Sequence, residues 1–170
     1  MGLQQVNKSI LTSAASTIQV TGIDSDEPYK LIIRNLQPVD NVVYAQMRFI
    51  ISGSVFSSSN YAYADKVVKT AAGFGNLANS SQDKILLSSE QLGTAGQEKL
   101  NGIFYIYNAN DSAEKCLITQ ESVGLDSNSN TLGQFGGGVL DSAGAVEGVS
   151  IFFSSGNVAA GSEAILYKVV

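Results

Sequence analysis

The stretch Val42-Val43-Tyr44-Ala45-Gln46-Met47-Arg48-Phe49-Ile50-Ile51 decides the fold. Val43, Ala45, Met47 and Phe49 share one parity, while Val42, Tyr44, Gln46 and Arg48 share the other. Side chains on a pleated strand alternate sides, so this pattern predicts a strand with one buried face. Moving outward, the same signature recurs in Thr17–Gly22, Tyr29–Leu36, Tyr61–Thr70, Lys84–Ser88, Gly102–Asn108, Lys115–Glu121, Leu132–Leu140, Gly148–Ser154 and Ser162–Val169. The breaks between them are turn chemistry, as in Asp24-Ser25-Asp26-Glu27-Pro28, Gln37-Pro38-Val39-Asp40-Asn41 and Asp126-Ser127-Asn128-Ser129-Asn130. Helical spacing is confined to Ser88–Lys99, where Ser88-Ser89-Glu90-Gln91 has the spacing of a capping box and predicts one short turn at most.

Many short strands joined by polar turns predict an all-β, antiparallel β-sandwich of jelly-roll-like form. No repeat of fixed period points to a propeller or solenoid. Residues 16–170 read as a single β-sandwich domain. Residues 1–15 are polar and weakly periodic, which predicts an extended N-terminal arm.

Composition limits the chemistry. The 170 residues are 44% hydrophobic and 8% aromatic, with 17 Gly, so a disordered chain is excluded. Charged residues reach only 15%, against about 25% in ordinary soluble domains. There is no His, which removes Ser-His-Asp and Cys-His catalysis and the 2-His-carboxylate iron site. The single Cys116 cannot form an internal disulfide or a multi-cysteine zinc site, and reads as a small buried hydrophobe. Net charge is −5, and the 10 Lys and Arg are scattered, so no nucleic-acid partner is expected. No apolar run reaches about 18 residues, so no membrane partner is expected either. The opening residues lack the basic-then-apolar pattern of a secretory signal.

Several motifs invite a sharper reading. Gly73-Phe74-Gly75-Asn76-Leu77-Ala78 fits a dinucleotide-binding fingerprint, but that motif needs a helix after it, and here a polar loop is expected. Asp126, Asn128 and Asn130 imitate the first ligands of a calcium loop, yet Thr131 stands where glycine belongs and Gly137 where a carboxylate belongs. No spacing among the 15 acids singles out a glycosidase pair. Neither catalytic residue, cofactor nor metal ligand is expected. Gly133-Gln134-Phe135-Gly136-Gly137-Gly138 reads as a bulged strand packing on a neighbouring subunit. Tyr61 and Tyr63 read first as core aromatics, with an interface or a carbohydrate platform as the alternative.

The stretches Ser16–Ile23, Tyr29–Leu36, Tyr44–Phe49 and Ser57–Tyr63, with the closing Val149–Asn157 and Gly161–Tyr167, resemble small virion structural proteins of tailed bacteriophages. The resemblance spans about the first sixty and the last twenty-five residues. It implies a non-enzymatic subunit, either a capsid decoration (cement) protein or a tail- or fibre-associated receptor- or carbohydrate-binding module. The chain shows neither heptads nor a β-helical shaft, which favours the cement role. On that reading the chain is made in the host cytoplasm and sits on the outer surface of the head as a homo-oligomer, a trimer matching three-fold lattice positions, against major capsid protein subunits. Leu3, Val6, Ile10 and Leu11 of the arm, together with Tyr61, Tyr63 and Phe135, are the expected interface residues.

Overall fold

The computed structural model describes residues 2–70, 72–142 and 144–170. Its strands are β1 (Leu3–Ile10), β2 (Ile18–Thr21), β3 (Tyr29–Leu36), β4 (Ala45–Ile51), β5 (Ser54–Val55), β6 (Tyr61–Lys69), β7 (Gly73–Gln82), β8 (Ile85–Leu86), β9 (Leu100–Tyr107), β10 (Cys116–Leu125), β11 (Thr131–Leu140), β12 (Val146–Phe153) and β13 (Glu163–Val169). No helix occurs among the described residues. Two antiparallel sheets pack face to face. The larger runs β1-β13-β3-β9-β10-β11-β6-β7, and the smaller runs β2-β12-β4-β5, with β8 also paired to β4. The orders β1-β13-β3-β9 and β2-β12-β4-β8 are those of two nested Greek keys, the connectivity of a jelly roll. Two hairpins inserted in the chain, β6–β7 and β10–β11, widen the larger sheet beyond that unit.

Alternation explains which face is buried. Tyr29, Leu31 and Ile33 of β3, Phe104 and Ile106 of β9, and Leu166 of β13 meet Val20, Val149, Ile151, Met47 and Phe49 of the smaller sheet in one core. In the deciding stretch, Val43, Ala45, Met47 and Phe49 are all buried, but the opposite parity is not a solvent face: Val42 is exposed, Tyr44 and Arg48 are half-buried and Gln46 is buried. Phe49 stacks on Tyr61 with ring centroids 6.0 Å apart, which ties β4 to β6 across the sandwich. Gly102 leaves room for the Phe104 ring, since a Cβ there would lie 2.7 Å from it.

The segment expected as an extended arm is extended, but Leu3–Ile10 is hydrogen-bonded along β13 as an edge strand of the larger sheet, from Leu3↔Val169 to Ile10↔Glu163. Val6 seats over Gly22, whose φ of +107° and missing Cβ give it room. The chain ends lie side by side: Gly2 N–H donates to Val170 O at 2.5 Å, and Val170 N–H donates to Gly2 O at 3.0 Å. Around the predicted helical turn, Ser88 Oγ accepts from Ala45 N–H at 2.9 Å and so serves a strand, while Glu98 N–H donates to Ala95 O to close a single turn.

Candidate interaction face

Cross-strand register builds one surface on the outer side of the larger sheet. Residues paired across antiparallel strands project to the same side, so one row reads Ile165, Ile32, Ile103, Glu121, Phe135 and Lys66. A second row carries Val123, Gly133, Val68 and Phe74, and a third Leu117 and Val139. Between them, Thr119, Gly137 and Ala64 form a flat strip without bulk. Six of these apolar side chains are exposed, among them Phe135 (46%), Val123 (54%) and Phe74 (76%). A shallow depression of about 290 Å³ lies between Ile32, Ile103, Val123 and Phe135, with Arg34 and Glu121 at its rim. Contiguous apolar surface of this kind makes the face a candidate for association, because water contact with it is unfavourable.

The polar groups on this face are few. Lys66 and Glu121 flank Phe135 in its row. Lys30 sits 5.6 Å from the ring centre of Tyr105, which stacks on Tyr107 at 6.5 Å. No perturbed carboxylate converges here; the two most perturbed acids lie elsewhere. Asp126 is buried, which opposes its charge, but donation from Asn130, Lys69 and the Asn128 and Asn130 backbone outweighs burial and holds its pKa at about 2. Lys69 Nζ stands 2.9 Å from Asp126 Oδ2 and 3.1 Å from Glu90, so a lysine supplies the positive charge that the calcium-like spacing suggested. Asp65 is buried on the inner side, and burial pushes its pKa up to about 6, against donations from Gln120 Nε2 at 2.5 Å and Gln134 Nε2 at 3.2 Å. Gly136, between Gln120 and Asp65 in register, has no Cβ because the Asp65 carboxylate and Ala64 carbonyl occupy that space. Burial also pushes the Cys116 thiol up to about 12, which makes it unreactive. Among the described residues, no group of three His, Cys, Asp or Glu side chains is arranged to hold a metal ion.

The expected interface residues divide. Phe135 lies at the centre of the outer face, and Leu3 and Ile10 are exposed on edge strand β1. Val6 and Leu11 are partly buried against the core. Tyr61 (0%) and Tyr63 (5%) are not surface residues and cannot form an interface or sugar platform. Tyr61 Oη accepts from Phe49 N–H at 3.0 Å and donates to Phe56 O at 2.8 Å, while Tyr63 Oη accepts from Asn79 Nδ2 at 3.1 Å. Burial raises the pKa of both hydroxyls. Sequence reading passed over Ile103, Leu117, Val123, Val68 and Phe74. The available signal was that Leu117 and Ile118, like Val67 and Val68, place apolar residues on both parities of one strand, which marks a sheet covered on both sides. The glycine fingerprint is strand β7, with no helix behind it to receive a phosphate. Neither a protein-family model nor a curated protein matches the chain. What the face does must therefore be read from its own chemistry.

Proposed function

We propose that this chain is a non-enzymatic virion structural protein of a tailed bacteriophage, a decoration subunit that reinforces the head by bridging major capsid protein subunits. The observation that carries the reading is the apolar outer face of the larger sheet, which nothing in the described chain covers. Low charge and the absence of imidazole fit a surface made to be buried, since charged groups are depleted at interface cores. Three copies around a three-fold axis, each using this face and its exposed β1 side chains, would engage several capsid subunits at once and add weak contacts through multivalency. The test is occupancy and shell stability. Shells lacking the protein should rupture at lower temperature, and adding back the purified chain should restore the rupture temperature. A Phe135→Glu/Val123→Glu variant, folded but charged on this face, should fail to restore it; full restoration by that variant would overturn the reading. A tail-associated glycan-binding module is favoured only by the stacked Tyr105–Tyr107 pair under Lys30, now that Tyr61 and Tyr63 lie in the core. Binding on a glycan array that is lost in Tyr105→Ala would support that module instead.

A further inference from the structure

The two long edges of the larger sheet are finished differently. Edge strand β1 carries Lys8, has an irregular register between Gln5 and Asn7, and is tied to the smaller sheet by Asn7 Nδ2 donating to Thr21 O at 3.0 Å. These are devices that stop another strand from adding on. Edge strand β7 has none of them over its regular stretch. From Gly73 to Asn79 it pairs in register with β6, carries no charge and no proline, and is exposed at eight of its ten residues. Among the described residues, nothing hydrogen-bonds to the far-side backbone from Gly73 to Asn79; beyond it, Gln82 Nε2 donates to Ser80 O at 3.1 Å. The edges of the smaller sheet offer less, because β2, β5 and β8 are four residues or fewer. A row of free N–H and C=O groups is satisfied by another extended strand, and by few other protein surfaces.

We infer that β7 pairs antiparallel with β7 of a second copy about a two-fold axis, joining two larger sheets into one. A two-fold axis brings like residues together, so a strand at such an axis must tolerate its own side chains. The chain as a whole is charged −5 and repels itself, whereas β7 is an uncharged stretch of Gly, Asn, Ala and Ser with Phe74 and Leu77, and so meets its copy without opposed like charges. Regular pairing ends where the register with β6 shifts, between Asn79 and Gln82. The two-fold contact runs along the backbone edge of β7, whereas the outer face is proposed to meet capsid subunits, so together they would link capsid-bound copies into a network.

The experiment uses the purified full chain without capsid, so its failure is distinct from failure of the capsid role. Sedimentation velocity over rising concentration should show reversible self-association. An Ala78→Lys variant, whose own-chain neighbour across the ladder is Ala64, places lysine against lysine near the axis and should weaken association about tenfold or more. A single Asn76→Cys or Ala78→Cys variant should form a disulfide-linked dimer under mild oxidation. The native chain gives no background, because Cys116 is buried and unreactive. Amides of Gly73–Asn79 should become more protected from exchange as concentration rises. The two-fold contact is overturned by a chain that stays monomeric at every concentration, or by association that the lysine variant leaves unchanged. It is equally overturned if neither cysteine variant cross-links.

Discussion

The two halves of the larger sheet differ in what they bury and in what they expose. In β13, β3 and β9 the inner face is Leu166, Tyr29, Leu31, Ile33, Phe104 and Ile106, all buried beneath the smaller sheet. Across β10, β11 and β6 the inner face turns polar over one stretch, with Gln120, Ser122, Gln134 and Asp65 buried there, while Leu117, Val123, Phe135 and Val68 stand on the outside. Tyr61, Tyr63, Ile118 and Leu140 of this half still enter the core, but over that one stretch the faces are exchanged. The first half is stabilised by what the chain itself supplies. The second half leaves Leu117, Val123, Phe135 and Val68 in contact with water.

The sharpest way to break this contrast is to remove a large side chain from the first half. Phe104→Ala should cost about 3–5 kcal/mol in equilibrium denaturation, since the cavity lies in the centre of the core. Next in size is the Asp126–Lys69 pair that anchors the outer end of β6. Asp126→Asn should cost about 2–3 kcal/mol at neutral pH, because Lys69 loses its buried partner. The native protein carries the corresponding pH signature: Asp126 ionises more readily when folded, so its contribution is complete above about pH 4. It should fall by about 2 kcal/mol as the pH drops toward 2. Asp65 has the opposite sign. Its folded pKa of about 6 exceeds the ordinary 3.8, so its contribution is complete below about pH 4 and is lost as the pH rises through 6. Asp65→Asn should therefore gain about 1–2 kcal/mol at pH 8 and flatten stability between pH 4 and 6. Together the two carboxylates place their joint optimum near pH 4, measurable as melting temperature against pH. The smallest effect on folding belongs to the exchanged face, where Phe135→Ser should change stability by less than about 0.5 kcal/mol. A larger loss would mean that Phe135 is held by its own chain and the contrast fails.

Most of the jelly roll was legible because its strands bury one face and so carry the period of two. Tyr29–Leu36 is a strand over the range read from sequence. β1 and β7 were not legible for a common reason: neither needs a buried face of its own. Gly73–Gln82 is held extended by its ladder with β6, and Leu3–Ile10 by its ladder with β13. Pairing of that kind depends on which strand arrives alongside, a fact no local window contains. The outer face was half legible. Phe135 stood out among glycines, but its neighbours come from β6, β7, β9 and β10, and only the register gathers them.

Because Gly2 and Val170 bond to each other's backbone, a peptide or reporter fused at either end would leave the molecule from the same corner. A short bridge between those ends would give a circularised polypeptide without bending the sheet. A permuted gene opened in the exposed loop at Ser112–Glu114 should rebuild the same sandwich, with the joined ends at this corner.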